Sequence, residues 1–130
     1  MTAEPRQPDP VYDRVEQLNM IKSGLLHGES LIAVYDLKGG GTGFIGLTTK
    51  RLIIQDNSFA GGRSAIKSIP YSKVNAVGYV TDKSFMGQYF SSAKIGVAVG
   101  SGGEYICEFR GDNKAKHAHD VILWHMMNHG

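Results

Sequence analysis

The sequence predicts one mainly β domain, a small sandwich or barrel of antiparallel strands with a helix before it and a helix after it. After Glu29, short apolar runs are broken about every eight to twelve residues by glycine, proline or asparagine, as in antiparallel all-β folds. Before Gly28, apolar residues instead recur at three- and four-residue intervals, which indicates a helix. A chain of 130 residues, 42% of them hydrophobic, is long enough for one compact domain and too short for two ordinary ones.

The N-terminal part divides into a tail and a helix. Residues 1–10 contain three prolines and few large apolar side chains, so we expect a disordered tail. Residues 11–28 are predicted to form a helix that docks by one apolar stripe and stops at Gly28. The stripe consists of Val11, Val15, Leu18, Ile21 and Leu25. Residues 29–130 then form the β scaffold with its C-terminal helix.

Seven strands are predicted in the β scaffold, followed by a helix that Asp112 or Asn113 can cap. Pro70 cannot donate a backbone hydrogen bond, so the strand that contains Ile69 should end there or lie at a sheet edge. Tyr71, just after it, is interpreted as a packing residue. The predicted elements are strands Leu31–Leu37, Gly43–Thr48, Arg51–Asp56, Ser64–Ile69, Val74–Thr81, Ser92–Val99 and Glu104–Arg110, and helix Asp112–Asn128.

Residues 41–46 spell the G-x-G-x-x-G pattern of dinucleotide-binding loops. That pattern binds a pyrophosphate only where a helix follows, and here a strand is predicted to follow. With Thr49-Lys50 as a hairpin tip, Leu47 pairs with Leu52 and Ile45 with Ile54 on one apolar face. The opposite face, with Phe44 beside Gln55 and Gly46 beside Ile53, is expected to be partly exposed. We therefore predict no cofactor.

The last hairpin is expected to bury one face. With Ser101-Gly102-Gly103 as its loop, one face carries Ile95, Val97, Val99, Tyr105, Cys107 and Phe109. Cys107 then lies among apolar neighbours and should be an inert thiol. It is the only cysteine, which excludes an internal disulfide and agrees with a cytoplasmic location.

Three motifs carry a resemblance to the bacterial pleckstrin-homology-like (PH-like) domain family. They are Gly28-Glu29, "LTTKRLIIQD" from Leu47 to Asp56, and "SIPYSKVNAVG" from Ser68 to Gly78, and the resemblance spans about Gly24 to Met127. It implies a seven-stranded antiparallel, partly open barrel of two near-orthogonal sheets, capped by the C-terminal helix. It also implies a non-catalytic binding scaffold that forms homo-oligomers.

The residues point to no catalytic or metal site. No Ser-His-Asp set or carboxylate pair falls at a usable spacing. His125 and His129 are four residues apart, but Met126 replaces the glutamate of the H-E-x-x-H motif and no third ligand shares their face. Net charge is only +2, with both signs spread along the chain, so no nucleic-acid-binding face is predicted.

Surface apolar residues give the candidate interface. On the C-terminal helix, Leu123, Trp124 and Met127 point away from the barrel and need a cover, which either the N-terminal helix or a neighbouring subunit can supply. The segment "SFMGQYFSS" adds Phe85, Met86, Tyr89 and Phe90. The family resemblance favours self-association or a protein partner.

A peripheral membrane module is the alternative hypothesis. In it the aromatic segment inserts into the bilayer while Lys38, Arg63 and Lys83 contact lipid phosphates. Phosphoinositide-binding relatives of the family carry basic residues along the second strand of the barrel, whereas residues 43–49 contain no Lys or Arg. No apolar run approaches the roughly 20 residues of a membrane span, and the N-terminus lacks an export signal, so a cytoplasmic protein is expected.

Overall fold

The computed structural model of the chain describes residues 8–39, 41–58, 60–80 and 93–128, which form two β-sheets with an α-helix on each side of the larger one. The order of elements is β1 (Val11–Tyr12), α1 (Val15–Lys22), β2 (Leu31–Asp36), β3 (Thr42–Thr48), β4 (Arg51–Asp56), a 3₁₀ turn (Ala60–Gly62), β5 (Ala65–Pro70), a second 3₁₀ turn (Tyr71–Lys73), β6 (Val74–Tyr79), β7 (Lys94–Val99), β8 (Gly103–Glu108) and α2 (Asp112–Asn128). One sheet has the order β1-β2-β3-β4-β5 and the other β6-β7-β8. The predicted fold class is confirmed, and the seven predicted strands lie within two residues of their predicted bounds.

The hairpin of β3 and β4 has the register that the sequence predicted. Leu47 pairs with Leu52 and Ile45 with Ile54, and all four side chains are buried in the main core. A two-residue tip fixes this register, because a slip of one residue would turn every apolar side chain to the other face. The strand that leads to Pro70 is also an edge strand, as predicted.

The hairpin of β7 and β8 buries the predicted face with a small shift. Ile95 pairs with Cys107 and Val97 with Tyr105, so these residues share one face as expected. Val99 pairs with Gly103, which places the loop at Gly100-Ser101-Gly102, one residue before the predicted loop. Gly100 and Gly102 both have positive φ angles, which glycine adopts without strain.

Helix α2 closes the opening between the two sheets. It inserts Ala115, Ala118 and Ile122 into the main core, where their side chains meet residues of both sheets. Its first turn lies at the end of β8, and its last turns lie beside the 3₁₀ turn that joins the sheets. The main core is therefore enclosed by two sheets and one helix.

On the second face of the β3–β4 hairpin, Phe44, Gly46 and Ile53 are buried and Gln55 is half-buried, so the prediction of partial exposure was wrong for all but Gln55. Helix α1 packs on this face, and Leu18 and Ile21 from the helix meet Phe44 and Ile53 from the strands in a second core cluster. Phe44 is only 1% exposed. A Cβ at Gly46 would lie 2.9 Å from the Cδ1 atom of Ile21, so the absence of a side chain at Gly46 allows the helix to approach the strand.

The N-terminal helix is shorter than predicted. It spans Val15–Lys22, whereas Val11 and Tyr12 form a short strand parallel to β2. Asp13 continues this pairing by donating its N–H to the carbonyl of Val34 at 3.1 Å, so the backbone up to Asp13 is extended. Gly28 has the predicted positive φ of 82°, but it lies in a turn after the helix has ended. Residues 1–7 of the predicted tail lie outside the described residues.

The connections between strands collect at two ends of the fold. The first end, called here the loop end, carries the connections β2–β3, β4–β5 and β6–β7. At this end the N–H of Lys38 donates to the carbonyl of Glu108 at 2.8 Å and so joins the two sheets. The opposite end, called the hairpin end, carries β3–β4, β5–β6 and β7–β8. Helix α2 runs from the loop end to the hairpin end.

Candidate functional site

The motif residues Glu29 and Arg51 form a buried ion pair at the hairpin end. Two of the three guanidinium nitrogens of Arg51 face the carboxylate, with Nε 2.8 Å from Oε2 and Nη2 3.0 Å from Oε1. The hydroxyl of Thr48 donates to the same carboxylate at 2.6 Å, and the N–H of Leu26 donates to it at 2.9 Å. Glu29 has no exposed side-chain surface, so each carboxylate oxygen depends on these partners.

The protonation of Glu29 reflects this environment. Burial alone would raise the pKa of Glu29, but the hydrogen bonds from Arg51, Leu26 and Thr48, together with the charge of Arg51, outweigh burial and lower the pKa to about 2. The carboxylate is therefore charged and fully occupied with partners. The "LTTKRL" motif thus has a structural role, because it connects the loop before β2 to the β3–β4 hairpin.

A second polar network, which the sequence analysis missed, joins the N-terminal segment to α2. Asp36 accepts hydrogen bonds from Gln17 and Arg110, each at 2.8 Å, and Asp13 pairs with Lys114 at 2.6 Å. Burial raises the pKa of Asp36, yet the hydrogen bonds from Gln17 and Arg110 outweigh it and the net shift is downward. The hydroxyl of Tyr35 lies 2.6 Å from Nδ1 of His117 in the next turn of the helix.

A third network, also missed, lies at the open corner of the barrel. Lys67 on β5 is 3.1 Å from the carboxylate of Asp56 and donates to the hydroxyl of Tyr105 at 2.9 Å. Hydrogen bonds from Ser58 and Lys67 lower the pKa of Asp56 to about 2. These contacts join β5 to β8 across the gap between the sheets, so we assign them a structural role.

The exposed face of α2 changes character along the helix. Its first half presents polar residues such as Lys116 and Asp120, which pair at 2.9 Å. Its second half presents the predicted interface residues Leu123, Trp124 and Met127, which are 38%, 59% and 76% exposed. We call these three residues the α2 stripe. Helix α1 does not cover it, because α1 packs on the far face of β2 and β3.

A groove lies beside the α2 stripe at the hairpin end, and we call it the hairpin-end groove. Its volume is about 450 Å³, and its lining residues are Thr49, Lys50, Pro70, Tyr71, Ser72, Trp124, His125 and Asn128. The rings of Tyr71 and His125 stack at 4.7 Å, and Trp124 meets His125 edge-on at 4.9 Å. Tyr71 is buried, as predicted, and donates its hydroxyl to the carbonyl of Thr48 at 2.8 Å.

The histidines of α2 have separate roles. His117 contacts Tyr35, His119 stacks on Tyr79 at 4.5 Å, and Nδ1 of His125 lies 2.8 Å from the carbonyl of Val121. His129 lies outside the described residues. Within the described ranges, no three His, Cys, Asp or Glu side chains are grouped as metal ligands.

The other candidate residues divide between the described and undescribed parts of the chain. Phe85, Met86, Tyr89, Phe90 and Lys83 lie in residues 81–92, outside the described residues. Lys38 and Arg63 are both on loop-end connections, and Lys38 is 4.0 Å from the carboxylate of Glu108.

Cys107 is completely buried, as predicted. Burial raises the pKa of its thiol to about 12, so the thiol stays protonated at neutral pH. Among the helices of the described part, none is both long enough and apolar enough to cross a membrane.

Comparison with known proteins agrees with this architecture. A protein with a pleckstrin-homology domain from Shewanella loihica shares the fold with a TM-score of 0.61 and 17% identity, and the match covers 86% of this chain and 92% of that one. A pleckstrin homology domain from Shewanella amazonensis has a TM-score of 0.57 and 18% identity, with 88% of this chain and 90% of that one covered. The C-terminal domain of an unknown protein from Leishmania infantum has a TM-score of 0.57 and 17% identity, with 85% of this chain and 99% of that one covered. No curated protein matches the chain. The family model described as bacterial PH domain matches residues 20–122, which is most of the chain. The chain therefore belongs to the bacterial PH domain family, whose folds are typically non-enzymatic binding modules.

Proposed function

We propose that this bacterial PH domain is a cytoplasmic assembly module that binds a second copy of itself through the α2 stripe. The observation that carries the proposal is the exposure of Leu123, Trp124 and Met127 on one half of a helix whose other half is polar. The largest apolar patch on a protein surface, typically a few hundred Å², is often a functional interaction site.

The distribution of apolar and polar residues along α2 favours a twofold arrangement. If two α2 helices cross antiparallel at their C-terminal halves, Met127 and Leu123 of one copy meet the same residues of the other. The polar halves, with Lys116 and Asp120, then remain in water at the two ends.

The area needed for a stable dimer exceeds the α2 stripe. Three partly exposed side chains supply roughly 350 Å², whereas a specific interface buries about 800 Å² per partner. The remainder must come from other parts of the surface, and the aromatic segment with Phe85, Met86, Tyr89 and Phe90 is our candidate for it.

Light scattering tests the assembly. We expect wild-type protein at about 100 µM to have a mass above that of the 14.1 kDa chain, and Leu123→Ser with Met127→Ser to return it to a monomer, because the apolar centre is lost. Lys116→Ser, on the polar half of the same face, is the matched control and should leave the mass unchanged. A wild-type monomer at this concentration would contradict the proposal.

Membrane binding is the second candidate function, and the position of the basic residues favours it. Lys38, Arg63 and the segment with Lys83 and Phe85 all belong to connections at the loop end, so one surface can present basic and aromatic side chains together. At low salt we expect cosedimentation with vesicles rich in anionic lipid, reduced several-fold in Lys38→Ala with Arg63→Ala. Absence of sedimentation with the wild-type protein excludes this function.

A further inference from the structure

We propose that β1 and α1 form an arm that two copies of the chain exchange, each arm docking on the β3–β4 hairpin of the other copy. The arm consists of residues 11–25, because Leu25 packs with α1 in the second core cluster. It is joined to β2 by a short exposed hinge, residues 26–28. Helix α1 packs on the face of β2 and β3 opposite to α2, so this inference does not rest on association through the α2 stripe.

The main core is complete without the arm. Within the described residues, no side chain of the arm belongs to the main core, and the arm instead contributes Leu18, Ile21 and Leu25 to the second cluster. β1 and most of α1 also precede residue 20, where the match to the bacterial PH domain begins. The two sheets and α2 therefore enclose the main core without help from the arm.

The arm and its docking surface are matched in shape and charge. Ile21 packs over Gly46, where a Cβ would lie only 2.9 Å from the Cδ1 atom of Ile21. The carboxylate of Asp13 accepts the backbone N–H of Asp36 at 3.0 Å and pairs with Lys114 at 2.6 Å. These partners lie outside the arm and are present in every copy, so the arm of a second copy makes the same contacts.

Only the hinge has to change conformation for the arm to dock on another copy. Residues 26–28 are exposed, and Leu26 is 63% exposed. Within one chain the hinge is folded into a turn, in which the N–H of Glu29 donates to the carbonyl of Leu26 at 3.0 Å. When extended, the three hinge residues span about 10 Å and allow the arm to leave its own sheet. The arm contacts then re-form between copies.

Gly28 determines the balance between the folded and the extended hinge. Its φ angle is 82°, a conformation that glycine adopts without strain and that other residues disfavour. Beyond its chain neighbours, no described atom lies within 4 Å of a Cβ built at Gly28, so a side chain there meets backbone strain but no steric obstacle. An extended hinge has negative φ angles, which suit alanine. Gly28→Ala should therefore disfavour the folded turn and leave the exchanged arm unstrained.

Cross-linking of the full-length chain shows which copy supplies each arm. Carbodiimide joins a carboxylate to an amine in direct contact, and Asp13 on the arm lies 2.6 Å from Lys114 on α2. Unlabelled chains and chains labelled with a heavy nitrogen isotope are unfolded in urea and refolded together at concentrations up to about 500 µM. A link between a light Asp13 peptide and a heavy Lys114 peptide, identified by mass spectrometry, then records an exchanged arm.

The hinge variant and a matched glycine variant give opposite expectations. We expect the share of light–heavy links in the wild type to rise with protein concentration. In Gly28→Ala the association constant of the exchanged dimer should rise about a hundredfold, because each of two hinges is released from a strain that disfavours alanine about tenfold. Gly61, with a φ of 75° and open space around it, lies between β4 and β5, so Gly61→Ala should leave this constant unchanged.

The α2 stripe is tested separately. In Leu123→Ser with Met127→Ser the light–heavy links should persist, so a failure of the proposed self-association leaves this result intact. Light–heavy links that disappear in this double variant would overturn the inference, because they would come from chains in contact through the stripe. Links within one isotope alone in Gly28→Ala at the highest concentration, or an equal rise in Gly61→Ala, would also overturn it.

Discussion

Arg51→Ala is expected to lower the free energy of unfolding by about 3–5 kcal/mol, because it leaves the carboxylate of Glu29 buried without its ion-pair partner. Glu29 has no exposed side-chain surface and cannot be rehydrated without opening the loop before β2. Urea unfolding followed by circular dichroism measures the change. Arg14→Ala, which removes the exposed pair between Arg14 and Glu16, is the control and should change stability by less than about 0.5 kcal/mol.

The double variant Glu29→Met with Arg51→Met distinguishes the destabilisation caused by an unpaired buried charge from the net contribution of the ion pair to the free energy of unfolding. Two apolar side chains of similar size leave no buried charge, so this variant should be clearly more stable than Arg51→Ala. If Arg51→Ala costs less than about 1 kcal/mol, the network does not hold the hairpin as described.

The same pair predicts an acid-dependent loss of stability. The pKa of Glu29 is about 2 in the folded protein, below its ordinary value of 4.5. Its contribution is therefore complete above pH 4.5 and is lost as the pH falls from 4.5 towards 2, a total of about 3 kcal/mol. In Glu29→Gln this part of the acid dependence should be absent, so the wild-type and variant unfolding curves should converge as the pH is lowered.

The register of the β3–β4 hairpin was predictable because it depends on local rules. A two-residue tip and alternation of side chains on one face determine which residues pair. The same local rules predicted that residues 43–48 form a strand and not the start of a helix. The burial of Cys107 followed in the same way from the alternation of side chains in the β7–β8 hairpin.

The errors arose where distant parts of the chain meet. Val11 and Val15 have helical spacing, but backbone pairing with β2 takes Val11 into a strand, and both side chains are half exposed. The charge networks were missed because their partners are far apart in sequence: Arg110 and Asp36 differ by 74 positions, and Lys114 and Asp13 by 101. No spacing rule relates such residues, and only the fold brings them together.

The predicted partial exposure of Phe44 and Ile53 was wrong for the same reason, because the helix that covers them comes from an earlier part of the chain. Residues 44–47 and 52–54 are apolar at nearly every position, which is typical of strands covered on both faces. The alternation of side chains accounted for the burial of one face of the β3–β4 hairpin, but it identified nothing that covers Phe44 and Ile53 on the other face. The cover is α1, whose own stripe is only a few apolar residues.

Phe44→Ala is expected to lower the free energy of unfolding by about 3–5 kcal/mol, since it removes the largest buried side chain beneath α1. Partial exposure of this face would predict a much smaller loss, so urea unfolding distinguishes the two descriptions. Ile66→Ala, at a half-exposed position on β5 of the same sheet, is the control and should cost less than about 1 kcal/mol.

The effect of Phe44→Ala should also be local to α1. The helix has eight residues and depends on Leu18 and Ile21 for its attachment, so a cavity beneath it weakens its docking more than it weakens the main core. The amides of Val15–Lys22 should therefore exchange faster than in the wild type. The paired amides of β7 and β8 should still exchange only through global unfolding. If the full-length variant does not fold, Phe44→Leu, with an expected cost of about 1–1.5 kcal/mol, supports the same measurement. Uniform acceleration across both sheets would instead mean that α1 and the main core unfold as one unit, and that the second cluster has no separate stability.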